Sequence, residues 1–264
     1  PTPEALTCTD RPIGTLLELC LYRAVSEGCG GRILPFGVRQ LIKEYAFVRF
    51  NNETLRKAVR LWCSERVVAL QRYGDINDWD VSQVTDMGNL FSETTFNDRI
   101  DRWDVRKVTS MEEMFYCATD FNQSLSTWDV SRVTNMMSMF AGASAFNQPL
   151  VNWNVSQVTS MNYMFSSASS FNQPLSMWDI SRVMDLTGML FCARLFNQPL
   201  DTWDVSQVTN MSYMFYKASS FNQSLGTWDV RHDVYKSEMF TGATSFQQSL
   251  PEACRDGSVE LVSP

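Results

Sequence analysis

One carboxylate position recurs along the chain: Asp80, Asp104, Asp129, Asp179, Asp204 and Asp229 each follow a tryptophan, and Asn154 interrupts the row. Regularly spaced carboxylates are raw material for a cation ladder. Calcium takes about six to eight oxygens around one ion, and one carboxylate per repeat without a glycine-aspartate turn does not supply them. Turn or helix capping is the better reading, with side-chain oxygens accepting backbone N–H groups; calcium binding is a remote alternative. A threonine row, Thr85, Thr109, Thr134, Thr159 and Thr209, is broken by Met184. Flat threonine arrays bind ice, but hydroxyls placed where a helix begins are expected to bond locally, so ice binding is equally remote. Acid–base and nucleophilic chemistry has little to work with. The single histidine, His232, would have to carry any triad alone, and the chain has no P-loop, dinucleotide fingerprint, nucleophile elbow or H-E-x-x-H sequence. The expectation is a non-enzyme with no catalytic residue, metal or cofactor.

These rows exist because the chain repeats. Trp79, Trp103, Trp128, Trp153, Trp178, Trp203 and Trp228 are separated by 24 and then by 25 residues, and Phe96, Phe121, Phe146, Phe171, Phe196, Phe221 and Phe246 keep the same beat. With tryptophan as position zero the unit reads W-D-V-S-x-V-T-x-M-x-x-M-F-x-x-A-x-x-F-N-Q-x-L-x-x, the signature of a stacked array. The first copy is one residue short between Phe91 and Phe96, and the seventh is degenerate in its first half, as terminal repeats tend to be. Val133, Met136, Met139, Phe140 and Ala143 have the spacing of one stripe on a short helix, capped by Asp129 or Ser131. The F-N-Q-x-L-x-x-W half reads as a turn plus a short strand. The fold class is therefore α/β, a leucine-rich-repeat-like solenoid of seven coils built from short parallel strands and short helices, roughly 34 Å long at about 4.8 Å per coil.

Residues 1–74 lie outside the repeat and read as helices over Thr15–Glu27, Pro35–Phe47 and Glu53–Tyr73. In the last, Leu55, Ala58, Val59, Trp62, Arg66, Ala69, Leu70 and Tyr73 form a stripe placed to cover the open end of the stack. The organisation is thus a helical N-terminal cap over 1–74, a repeat region over 75–252 and a C-terminal tail over 253–264, with a separate recognition module as the alternative for 1–74. The two parts differ in charge, +4 for residues 1–74 and −11 for the remainder. The net −7 argues against nucleic acid as the main partner.

The repeat unit is similar to the tandem repeat of BspA-like leucine-rich-repeat surface proteins, described in bacteria and mycoplasmas and also found in algae and protists. The match covers about residues 75–250. The resemblance implies a solenoid without known catalytic activity, used for adhesion or protein contact, and a secreted or cell-surface location. An organelle, reached after loss of a targeting segment, is the alternative.

Within that frame the columns divide by role. The seven tryptophans are core, and the methionines, all 14 of which fall between residues 87 and 239, fill core gaps. Asn97, Asn122, Asn147, Asn172, Asn197 and Asn222 form a structural ladder of stacked amides, which casts doubt on Asn122 and Asn222 as glycosylation sites despite their sequons. The glutamines that follow read as a polar surface stripe. The variable tenth and thirteenth positions point off the helix stripe yet hold Tyr163 and Tyr213, and Tyr116, Phe191 and Tyr216. Aromatics there are the type enriched in protein interfaces, so these five are the candidate partner-binding residues. Cys117 and Cys192 share a column three coils apart, about 14 Å and too far for a disulfide, whereas Cys8, Cys20, Cys29 and Cys63 could form one or two bridges in an oxidising compartment. No apolar run is long enough to span a membrane. The functional expectation is a protein-interaction or scaffolding element, of adhesion type or an accessory subunit of a larger assembly; the alternative is a structural spacer anchored by the N-terminal helices.

Overall fold

The computed structural model describes residues 48–254; the expected helices Thr15–Glu27 and Pro35–Phe47 and the chain after residue 254 lie outside them. Helix α1, Asn52–Ser64, starts at a capping box: Asn51 Oδ1 accepts the Thr54 N–H at 2.9 Å and Thr54 Oγ1 accepts the Asn51 N–H at 2.9 Å. Its Leu55, Ala58, Val59 and Trp62, at helical spacing, form one buried face. A single helix to Tyr73 was the sequence expectation, but Glu65 leaves helical geometry at φ −137° and ψ 62°, and helix α2, Arg66–Tyr73, begins after it. The break resets the phase of the stripe. Ala69 is buried, while Arg66 and Leu70, expected on the inward face, are exposed.

From Trp79 onward the described chain has no α-helix, and its only helical segment besides α1, α2 and the 3₁₀ turn Ile76–Asp78 is the 3₁₀ turn Glu252–Cys254. The Val133–Ala143 stripe, expected on a helix, runs along a chain of tight turns. The hydrogen bonds explain why. Met139, Ala141 and Ala143 donate to Met136, Ser138 and Phe140 three residues back, while the intervening N–H groups of Met136, Ser138, Phe140 and Gly142 donate to Ser160, Asn162, Met164 and Ser166 of the next repeat at 2.7–3.0 Å. An α-helix would turn every N–H back on its own segment. Here half of them are committed to the neighbour, so an apolar spacing of three and four is realised without helix.

This alternation requires a backbone that helices avoid. Each repeat places its tenth and fourteenth residues at positive φ: Ser138 at 52° and Gly142 at 73° in one repeat, Tyr163 and Ser167 at 56° in the next. Positive φ at the third residue of a turn is the type II requirement, usually met by glycine. Only Gly142, Gly188 and Gly242 meet it that way in these columns, so most repeats hold a strained residue in place by its neighbours. Among the described residues parallel pairing is confined to single-residue bridges: one joins Arg49 to Asp80, and a series runs from Asp86 to Ser110 and on through Asn135, Ser160, Asp185, Asn210 and Tyr235. The series follows the threonine column. The F-N-Q-x-L half, where a strand was expected, has no bridge, because asparagine side chains accept the N–H groups that a strand neighbour would take.

Two columns of rings fill the core. Phe115, Phe140 and Phe165 succeed one another at 5.5–5.6 Å between centroids, and Phe121, Phe146, Phe171, Phe196, Phe221 and Phe246 at 5.9–6.1 Å, all near parallel. These separations exceed the roughly 4.8 Å between bonded backbones, so the rings are offset, the arrangement aromatic pairs prefer. From Trp103 to Trp228 each repeat tryptophan is buried and donates its indole N–H to a carbonyl 27 or 28 residues earlier, Trp153 to Leu125 at 3.1 Å and Trp203 to Leu175 at 3.0 Å, whereas Trp79, in the first repeat, donates to Gly74 O at 3.3 Å. Leu125 O also accepts the Trp128 N–H, so one carbonyl ties together two repeats.

The first repeat has no predecessor, and residues 49–66 supply what one would have given. Thr85 N–H, which in later repeats finds the preceding threonine carbonyl, finds Asn52 Oδ1 at 2.9 Å. Arg56 donates to the Gly88 carbonyl and, at 2.8 Å, to Asp86. Trp62 and Arg66 donate to the Asp98 carboxylate at 2.9 and 2.8 Å, and the Trp62 and Trp79 rings meet edge to face. Asn52→Ala strips acceptors from the Thr85 and Asp86 N–H groups and is expected to cost about 1–3 kcal/mol in urea unfolding. A loss below about 0.3 kcal/mol would mean that water serves that end equally well.

Candidate functional site

Most repeated polar side chains are spent on the stack. Asn122 Oδ1 accepts the Asn147 N–H at 3.0 Å and the Gln148 amide at 3.0 Å, and the same pair of bonds links Asn97 to Asn122 and Gln123, Asn147 to Asn172 and Gln173, Asn172 to Asn197 and Gln198, and Asn197 to Asn222 and Gln223. The ladder therefore runs from amide oxygen to backbone and glutamine, with the asparagines half-buried apart from exposed Asn97. The glutamines, expected as a free polar stripe, are its second donors. Thr109, Thr134, Thr159 and Thr209 turn their hydroxyls onto the preceding repeat's carbonyl at 3.0–3.3 Å. Asp129 Oδ1 accepts the Ser131 N–H two residues on at 3.1 Å, and Asn154 does the same for Ser156. Asp80, Asp104, Asp179 and Asp204 close their own turns in the same way.

What remains for contact is the variable set. Tyr163, Phe191, Tyr213 and Tyr216 come together on repeats four to six, all half-buried. Phe191 and Tyr216 stack at 4.7 Å, Tyr213 meets Tyr216 edge-on at 5.9 Å, and Lys217 Nζ lies 5.0 Å over the Tyr216 ring. Glu238 accepts from the Tyr213 hydroxyl at 3.4 Å; its charge is the main cause that pushes that phenol above its ordinary value. Tyr163 lies across Gly188, where a Cβ would sit 2.3 Å from its ring. The glycine is thus both a positive-φ turn residue and the seat of a tyrosine. Tyr116 is not part of this cluster. It stands in the second repeat beside Cys117, which with Glu113 and Glu93 raises its phenol.

Sequence reasoning did not include Gly188, Lys217 and Glu238 in the cluster. A signal was present for the first, a lone glycine between Tyr163 and Tyr213 in one column; the other two follow from stacking geometry. Leu195, Met184 and Tyr235 are also exposed on repeats five to seven where other copies carry mostly small or polar residues. His232 is exposed in the seventh repeat. Cys63, Cys117 and Cys192 are free thiols, and Cys8, Cys20 and Cys29 lie outside the described residues.

A model of the family described as "Mycoplasma protein of unknown function, DUF285" matches residues 62–175 and again 149–253, together well over half of the chain. The chain belongs to this family. No curated protein and no solved structure matches it. The two DUF285 matches begin within α1 at Trp62, the residue that seals the first repeat, and end within the closing 3₁₀ turn. No described helix of this DUF285 member is long and apolar enough to cross a membrane.

Two measurements check these assignments. Asn147→Ala leaves the Asn172 N–H and the Gln173 amide without their acceptor and is expected to cost about 1–3 kcal/mol, with Asn147→Asp milder at neutral pH because it retains the oxygen. The second is acid sensitivity. Hydrogen bonds from Ser82, Ser131 and Ser206 hold Asp80, Asp129 and Asp204 below the ordinary 3.8. A depressed carboxylate stabilises the fold above its unfolded value and loses that contribution as pH falls through the folded one. The melting temperature should therefore drop between about pH 4 and pH 2, and asparagine at all three positions, as nature has at Asn154, should flatten that limb.

Proposed function

We propose that the chain is a non-enzymatic protein-interaction or scaffolding element, a BspA-like solenoid of leucine-rich-repeat type that presents one aromatic face to a protein partner. The observation that carries this reading is the Tyr163, Phe191, Tyr213 and Tyr216 cluster, in which Phe191 and Tyr213 pack on the Tyr216 ring and Tyr163 is seated across Gly188 before any partner arrives. Tyrosine gives large contact area at low entropic cost, and a prepacked ring loses still less on binding. Support for a stacked architecture comes from hydrogen bonds that join each repeat to the next. The variable positions outside the Asn, Gln, Thr and Asp columns are the ones left to distinguish a partner. Adhesion at a surface and service as an accessory subunit both use such a face.

Replacing Tyr163, Tyr213 and Tyr216 together by serine tests the proposal. Serine already occupies the same columns at Ser138 and Ser166, so the fold should survive. Affinity purification of wild type and variant, followed by mass spectrometry, is expected to recover a partner with wild type and lose it with a variant of unchanged circular dichroism. Equal recovery by both would sink the aromatic-face reading and favour a spacer.

A further inference from the structure

The shortened first repeat has a structural consequence. In later repeats a buried alanine sits between the two phenylalanines and its backbone bonds both ways: Ala118 N–H donates to Phe115 O and its carbonyl accepts the Phe121 N–H, each at 3.1 Å. The first repeat has no such residue. Thr94 Oγ1 takes over both bonds, donating to Phe91 O at 2.7 Å and accepting the Phe96 N–H at 3.3 Å. A hydroxyl thus replaces a peptide unit, and beside that shortened arc lies a cleft of about 410 Å³ against one face of α1. Its volume is that of a small-molecule site.

The chemistry of the walls is one-sided. Val59 and Leu90 supply buried apolar surface. No carboxylate lines the cleft, whereas two guanidinium groups do. Arg56 is committed to Asp86 and the Gly88 carbonyl, but Arg60 makes no ion pair among the described residues. The Asn89 amide and the Ser92 hydroxyl also line it without a side-chain hydrogen bond among the described residues. Burial, with Asp98 behind it, pushes the neighbouring Cys63 thiol up, so it adds no competing negative charge at neutral pH. A free cation, two uncommitted donors and an apolar wall together fit one class of ligand.

We infer that this cleft binds a small organic anion, its carboxylate or phosphate held by Arg60 with Asn89 and Ser92, and its apolar body against Val59 and Leu90. Arginine is suited to this by its planar fork of donors. The same chemistry is presented by a free small molecule and by an acidic side chain of a peptide.

The test titrates the full chain, with isotope-labelled methyl groups, with 3-phenylpropionate, phenyl phosphate, the uncharged 3-phenylpropionamide and an end-blocked Phe-Glu dipeptide. At least one anion is expected to shift the Val59 and Leu90 methyl signals with a Kd of about 1 mM or tighter. The amide should bind about tenfold or more weaker, and Arg60→Gln should lose the same factor at unchanged melting temperature while Arg60→Lys retains part of it. Tighter binding of the dipeptide identifies a peptide source and tighter binding of a free anion a small-molecule source; either supports the site. Absence of any shift with every anion at about 10 mM, equal binding of acid and amide, or an Arg60→Gln variant that binds like wild type overturns it.

Discussion

The division of backbone N–H groups between two destinations is the constraint from which the rest of this protein follows. In the turn-rich half of each repeat, alternate N–H groups close tight turns and those between them cross to the next repeat. The arrangement cannot form within one repeat, because half of its donors would then face water or nothing. It also fixes direction. Repeat n donates forward from these arcs and repeat n+1 accepts backward, so the two ends of the array are chemically unlike and must be finished differently. The N-terminal end shows how: an arginine side chain donates to a carbonyl that no repeat precedes, and an asparagine side chain accepts from an N–H that no repeat precedes.

The same constraint explains why so many side chains look important while few are free. Asparagine oxygens, glutamine amides, threonine hydroxyls and indole N–H groups each satisfy a backbone or side-chain group one repeat away. A buried polar group left without a partner costs about 1–3 kcal/mol, and repetition multiplies that cost by the number of copies. A repeat of this design therefore tolerates variation only where side chains take no part in the crossing. Those are mostly the turn positions at or beside positive φ, and it is there that Tyr163, Phe191, Tyr213 and Tyr216 gather.

Periodicity made the unit, its length, its core residues and its shortened first copy legible in the sequence. Local structure was less so. Val133, Met136, Met139, Phe140 and Ala143 carry helical spacing because a chain of three-residue turns brings the same positions to one side that a helix would; spacing alone cannot separate them. Serine, cysteine, lysine and glutamate at positive φ hid the turns, since the expected glycine appears in only three of those fourteen positions. The aromatic candidates were visible as residue types in variable columns. Their division into a cluster and an isolated Tyr116 was not, because it depends on which repeats are adjacent and on where Gly188 makes room.

That last dependence separates the two surfaces of interest. The aromatic cluster arises from substitution within intact columns: the backbone beneath Tyr163 and Tyr213 is the backbone beneath Ser138, at φ of 52–61°, and only the side chains differ. The cleft beside α1 accompanies a change of the backbone itself, one residue removed and its two hydrogen bonds taken up by Thr94. The first kind of change is available in any repeat and leaves the crossing pattern untouched. The second is tolerable where a repeat lacks a predecessor to match, since a shortened arc in mid-array would shift donors against acceptors on both sides. Only at the sealed end does one neighbour, α1, contact the arc with side chains instead of a fixed backbone register. Surface recognition can therefore spread along the array, whereas a cleft of this kind is confined to its terminus.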